Sequence, residues 1–233
     1  MGKTKSIKLS IVLPTYNEAE NIKELIPQIK KEFPDSDIIV VDDNSPDGTA
    51  EIVKKLGVRV IVRKKRDGLG VALADGYNNA KGDIIVSMDA DCSISVNEIH
   101  RLLEKLKEGY DLVVGSKYSR GSCAEGVGST KKKLISLWGN RLIISFFKLP
   151  VDDVTLNFRA FSRDVWKKLN LFEKTNLFLL EMLVDAQSKN MKIAQIPATF
   201  SKRKYGKSKT NLSNLIPLYL KYLIRYIFKW IKD

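Results

Sequence analysis

Five short apolar runs divide the first half of the chain: "KLSIVLP" (8–14), "DIIVVDDNS" (37–45), "VRVIVRKK" (58–65), "DIIVSMD" (83–89) and "DLVVGSKYS" (111–119). Each is too short for a helix and rich in Val and Ile, which pack well on a pleated surface. Stretches of helical period separate them. Ile22, Leu25, Ile26 and Ile29 share one helix face behind a cap at Asn17 or Glu18, and Pro27 within that pattern predicts a kink or interruption. Residues 45–57 predict a turn at Asp47-Gly48, then a helix closed by Gly57. Residues 67–82 predict a glycine-rich turn entering a helix, and residues 95–110 a helix capped near Ser95 or Asn97. Strand and helix alternate over about 115 residues, which predicts an α/β fold with a mostly parallel sheet covered on both faces.

Ligands of such sheets bind beyond the carboxyl ends of the strands. Here those ends read "TYNE", "DDNS", "RKKRDGLG" and "DADCS". Asp89 and Asp91, two residues apart, fall on one face of a strict strand. An unpaired buried carboxylate is costly, so acids at a strand end suit either a solvated turn or a cationic ligand. With two Cys and one His in 233 residues, a disulfide framework or a Cys/His zinc site is disfavoured. An oxygen-ligated Mg²⁺ or Mn²⁺ is the metal such carboxylates would take. Cys92 reads as a small buried residue, and His100 as a surface residue. There is no G-x-G-x-x-G after the first strand and no G-x-x-x-x-G-K-[ST], which disfavours a dinucleotide dehydrogenase and a P-loop NTPase. "GLG" at 68–70 reads first as a tight strand-to-helix turn.

The second half departs from this rhythm. A glycine-containing loop (121–133) leads into an apolar helix flanked by cations (131–150). Next come a polar turn with a possible strand and a short helix (152–169), a helix (178–190), a strand (192–200) and the basic loop "SKRKYGKSK" (201–209). The division expected is a domain over 1–211 and an amphipathic helix over 212–233. The net charge of +13 favours an anionic partner. No nucleic-acid-binding module is recognisable, so no nucleic-acid partner is expected. The N-terminal stretch lacks the apolar core of a secretion signal.

Eight motifs occur in order: "IVLPTYNE", "IIVVDDNSPDGT", "GLGVA", "AKGDIIVSMDAD", "VVGSKY", "FRAFSRDV", "FLLEML" and "RKYGKSK". Together they resemble the family 2 glycosyltransferases, and within them the dolichyl-phosphate mannose synthase group, from residue 8 to about 210. The resemblance implies a GT-A fold and an inverting transfer of a hexose, with mannose from GDP-mannose favoured, to a polyprenyl phosphate. It implies that Pro14, Tyr16, Glu18, Asp43, Asp89 and Asp91 line the donor nucleotide. Asp89, Asp91 and Ser93 would face a metal. Asp91, Lys117 and Arg203 would serve the reaction. Lys117, Lys132, Lys133, Ser136, Arg203 and Lys207, with Lys204 beside them, would receive the acceptor phosphate. Three positions depart from the group's pattern: Cys92 stands where Leu is usual, Lys117 where Arg is usual, and Leu156-Asn157 where Gly or Ser is usual. The alternatives are a UDP-sugar-dependent relative with a lipid-phosphate or saccharide acceptor, and a non-catalytic GT-A scaffold.

The chemistry agrees with the residue types. A diphosphate leaving group needs cations, whereas an anionic phosphate acceptor needs no general base. At the C-terminus, Lys221, Arg225 and Lys229 recur at spacing four among Leu220, Leu223, Tyr226, Ile227, Trp230 and Ile231. No uncharged run approaches the ~20 residues of a membrane span. This pattern predicts a peripheral protein whose last helix lies on an anionic membrane surface, at the cytoplasmic face. Trp138–Phe147 offers a second such contact.

Overall fold

A computed structural model describes residues 7–124, 130–206 and 212–230, with side chains described for 7–123, 137–206 and 217–226. The predicted strands form as β1 (Leu9–Thr15), β2 (Asp37–Asp42), β3 (Arg59–Val62), β4 (Ile84–Met88) and β5 (Leu112–Ser116). The helices between them are α1 (Ala19–Glu32), α2 (Thr49–Lys55), α3 (Leu69–Asn79) and α4 (Glu98–Lys107). Then follow β6 (Cys123–Ala124), α5 (Thr130–Phe147), β7 (Phe158–Ser162), α6 (Arg163–Lys168), α7 (Leu177–Ser188), β8 (Ile193–Pro197), β9 (Thr199–Phe200) and α8 (Leu212–Trp230).

Seven strands form one sheet in the order β3-β2-β1-β4-β7-β5-β8, and β6 pairs with β9 apart from it. All pairings in the main sheet are parallel except those of β7, which runs antiparallel to both β4 and β5. From β1 the chain builds outwards to β2 and β3, then returns to place β4 on the other side of β1. That reversal opens a crevice at the carboxyl ends of β1 and β4.

The strands are predominantly apolar because both faces of the sheet are covered. Val12, Ile39, Val41, Ile85, Leu112, Val114 and Phe161 enter one core with α3 and α7. Their neighbours Ile11, Leu13, Ile38, Val40, Val86, Val113 and Ala160 enter the other with α1 and α4. Tyr219 and Tyr222 of α8 are buried in the first core, where Tyr222 meets Phe147 of α5 at a ring-centroid distance of 6.0 Å. Among the described residues, no helix is long and apolar enough to cross a membrane.

Two local expectations resolve differently. Helix α1 runs from Ala19 to Glu32 as one element despite Pro27. Pro27 lies on the exposed face, where water can serve the carbonyl left without its N–H partner. The helix starts behind Glu18, whose side chain makes no capping hydrogen bond. Its first N–H groups are satisfied from the neighbouring loop instead. The Glu18 N–H donates to Thr49 Oγ1 at 3.1 Å, and the Ala19 N–H to Asp47 Oδ2 at 3.0 Å.

The "GLG" turn keeps its structural reading, for a packing reason. Gly68 has φ +115, and a Cβ there would lie 2.3 Å from the Lys174 carbonyl oxygen. The Gly70 N–H donates to that same oxygen at 2.8 Å. A Cβ on Gly70 would sit 2.5 Å from the Glu173 carbonyl oxygen and 2.7 Å from Phe178 Cβ. Gly70→Ala is therefore expected to destabilise the fold by about 1–3 kcal/mol through overpacking. Urea unfolding checks this; a wild-type midpoint would mean that the 173–175 loop yields freely.

Candidate active site

The carboxyl ends of β1, β2 and β4 each turn through a non-glycine residue with positive φ: Asn17 (55°), Asn44 (58°) and Cys92 (58°). Asn tolerates this conformation; Cys is less suited to it, and such strain concentrates at functional sites. The turns hold the strand-end acids in different environments. Asp42 is fully buried and accepts from Thr15 Oγ1 (2.8 Å), the Ser45 N–H (2.8 Å) and Ser45 Oγ (2.6 Å), which makes it a brace between β1 and β2. Asp43 pairs with Arg63 Nη1 at 2.6 Å, both side chains being buried. Burial raises the Asp43 pKa, against the opposing pull of Arg63. Arg63 also meets Asp75 at 3.2 Å and Asp67 at 3.5 Å. Beside this cluster, Pro14 and Tyr16 are half-buried, and the Arg66 guanidinium lies 4.3 Å from the Tyr16 ring centroid.

A second group gathers Glu18, Asp89, Asp91 and Arg203. Arg203 donates through Nη1 to Glu18 (2.8 Å), and its Nη2 lies 3.1 Å from Asp91 Oδ2. Burial opposes the guanidinium's charge, but Asp91 and Glu18 outweigh it and raise the pKa. Because α1 is capped from outside, the Glu18 carboxylate is available to Arg203 and to Asn21 Nδ2 (2.6 Å). The basic loop is tied down around Arg203. Lys204 and the Tyr205 hydroxyl donate to Glu24 (2.5 and 2.9 Å), Asn21 Nδ2 donates to the Tyr205 carbonyl (3.3 Å), and the Ser201 N–H donates to the Ser93 carbonyl (2.8 Å).

Asp91 accepts from the Ser93 N–H at 3.0 Å, and Asp89 from Asn157 Nδ2 at 3.1 Å. Burial and then the neighbouring Asp91 charge raise the Asp89 pKa, while Asn157, Lys117 and Arg203 work against the rise. Lys117 Nζ is held 3.6 Å from the fully buried Asp153 and 3.4 Å from Thr155 Oγ1.

The structure thus brings Glu18, Asp89, Asp91, Ser93 and Arg203 together, with the charge of Lys117 felt at Asp89. Asp43 belongs to the adjoining Arg63 cluster. Lys132, Lys133 and Ser136 lie on α5, but their side chains are outside the described residues, as is Lys207 altogether. Cys92 is half-buried, and burial pushes its thiol up to about 11, which suits a packing residue. His100 is exposed and meets Glu32 at 2.6 Å. Sequence reasoning missed Arg63, Asn21 and Asp153 as partners. Arg63 directly follows β3, beside the acid-ended β2, and could have been paired with it.

The Glycosyl transferase family 2 model matches residues 10–169. The chain belongs to glycosyltransferase family 2. It is 34% identical to a dolichol-phosphate mannosyltransferase of Pyrococcus furiosus, over 96% of this chain and 64% of that one. It is 30% identical to a polyprenol monophosphomannose synthase of Mycolicibacterium smegmatis, over 88% of this chain and 82% of that one. The chain therefore spans just under two thirds of the length of the first relative. Among solved structures, a glucosyl-3-phosphoglycerate synthase from Mycobacterium tuberculosis, crystallised with Mn²⁺, UDP-glucose and phosphoglyceric acid, superposes with a TM-score of 0.68 at 24% identity. That match covers 90% of this chain and 75% of that one. This likeness establishes the GT-A fold, as the strand pattern and motifs predict.

The Asp43–Arg63 pair yields a stability test. Arg63→Met leaves Asp43 buried without its cation, and breaking such a pair costs about 3–5 kcal/mol. The deficit should shrink as the pH falls. A carboxyl whose folded pKa lies above its unfolded value takes up its proton first in the folded state, so acid favours folding there. Denaturant melts at neutral and mildly acidic pH check both points; a cost independent of pH would assign the loss to packing alone.

Proposed function

We propose that this protein is an inverting, divalent-metal-dependent transferase that moves mannose from GDP-mannose to a polyprenyl phosphate at an anionic membrane surface. The observation that carries this is the meeting of Asp89 and Asp91 with Arg203 and Lys117 at the carboxyl ends of the strands, in a chain whose relatives bear the names of polyprenyl-phosphate mannosyltransferases.

The donor set fits a hard cation. Asp89 and Asp91 are oxygen ligands, and the buried Ser93 Oγ has no hydrogen-bond partner among the described residues. An ion of this kind would keep water and phosphate oxygens as its other ligands. When bound, Mg²⁺ or Mn²⁺ would neutralise the diphosphate leaving group. Pro14, Tyr16, Glu18 and Asp43 would line the nucleotide. An acceptor phosphate oxygen would bond to the anomeric carbon as the bond from that carbon to the diphosphate oxygen breaks. The electron pair leaves with the diphosphate, and the configuration inverts. The acceptor is already an anion, so no protein group need take a proton from it. Arg203 and Lys117 would place it, together with Lys132, Lys133, Ser136 and Lys207.

The acceptor would be met at an apolar face. Helix α5 exposes Trp138 (59%) and Leu142 (69%) one turn apart, and α8 exposes Leu220 (54%) and Ile224 (53%). The helices touch through Phe147 and Tyr226, at a ring-centroid distance of 4.8 Å. Exposed Arg141, Lys148, Lys221 and Arg225 flank these residues. Apolar side chains among cations suit the headgroup region of an anionic leaflet.

Asp91→Ala is expected to abolish transfer, and Asp89→Ala and EDTA to reduce it severely, with circular dichroism unchanged. Arg203→Ala should lower kcat/KM by about tenfold or more, roughly 1.4 kcal/mol of transition-state stabilisation. The assay supplies GDP-mannose or a UDP-sugar with a polyprenyl phosphate. Transfer from the UDP-sugar alone would reassign the donor, and full activity in EDTA would remove the metal.

A second test concerns the surface. Leu220→Glu and Ile224→Glu should each weaken sedimentation with anionic vesicles by about tenfold or more, because burying such a side chain contributes about 1.5–3 kcal/mol. High salt should weaken the remainder. Wild-type sedimentation by the double variant would move the contact away from α8.

A further inference from the structure

Asn157 lies just before β7 and is 1% exposed. Register fixes its place. Phe158 pairs with Met88 and Arg159 with Ser87 across the antiparallel β4–β7 ladder, so the next pair along is Asn157 opposite Asp89. Ser87, Asp89, Asn157 and Arg159 therefore share one face of the sheet. Arg159, fully buried, pins the turn by donating to the carbonyls of Leu156 (3.0 Å) and Leu179 (3.0 Å).

Both ends of the Asn157 amide are used. Oδ1 accepts from the Ser87 hydroxyl at 2.5 Å, and Nδ2 donates to Asp89 Oδ1 at 3.1 Å. Ser87 is itself fully buried and interrupts the apolar strand "IIVSM". Two apolar residues of similar size would fill this space without the desolvation cost of a buried hydroxyl and amide. The polar pair forms a chain that leads to a strand-end carboxylate.

We propose that Asn157, braced by Ser87, is a positioning residue that fixes the Asp89 carboxylate in the orientation needed to hold a divalent cation on a nucleoside diphosphate. This rests on the metal-dependent reading of the site above. Partners that orient a metal-binding carboxylate commonly govern affinity without touching the ion.

The test is a double-mutant cycle read by Mn²⁺ binding, using electron paramagnetic resonance with GDP or UDP present. Asn157→Ala should weaken Mn²⁺ binding by about tenfold. Ser87→Ala should act in the same direction, by less. In an Asp89→Ala background, Asn157→Ala should add no more than about a further twofold loss, because its effect passes through the carboxylate already removed. An unchanged Mn²⁺ affinity in Asn157→Ala overturns the proposal, as does a full additional loss in the Asp89→Ala background. Should Asn157→Ala not fold, the same cycle with Ser87→Ala decides by the same criteria. If the wild-type protein binds no Mn²⁺ with either nucleotide, the metal reading falls and this inference with it. If the wild type binds and the variants bind equally well, only this inference falls.

Discussion

Glu18, Asp89 and Asp91 come from two separate segments, and their like charges would drive those segments apart without a cation between them. Arg203 supplies that cation. Its guanidinium reaches Glu18 ahead of α1 and Asp91 beyond β4 at once, from a loop beyond β9. In a half-buried setting such paired, charge-assisted bonds are stronger than exposed ones, so they order the loop as well as the acids. The surrounding ties to Glu24, Asn21 and Ser93 are consequences of where Arg203 has to be.

The sheet makes this meeting possible. Its order reverses at β1, so the β1 and β4 ends border one crevice. Because α1 is capped by Thr49 and Asp47, the Glu18 side chain serves the site and not the helix. The Asp43–Arg63 cluster lies on the β2 side as a separate unit.

Much of this was legible in the sequence, for identifiable reasons. Residues 8–119 read clearly because strands covered on both faces are continuously apolar, and each ends in a visible change of composition. β7 was legible only as a possible strand. It follows a polar turn, and its Arg159 lies in the core, balanced by carbonyls whose positions no local pattern reveals. Pro27 does not interrupt α1, since its place on the exposed face lets water serve the vacated carbonyl. Asp89, Asp91 and Arg203 stood out by type and motif. The bond from Asn157 to Asp89 depends on an antiparallel register between strands about 70 residues apart, beyond the reach of any local pattern.

Two cations whose charge reaches Asp89, Lys117 and Arg203, are held in different ways. Lys117 follows β5 directly, and its counter-charge, Asp153, is fully buried and braced by Thr155. Moving Lys117 would leave a buried carboxylate uncompensated, so its charge is a fixed part of the site. Arg203 sits on a loop whose other side-chain ties, through Lys204 and Tyr205 to Glu24, are exposed and screened by water. Arg203 is held chiefly by Glu18 and Asp91, and because both are buried, withdrawing it would likewise leave carboxylates uncompensated.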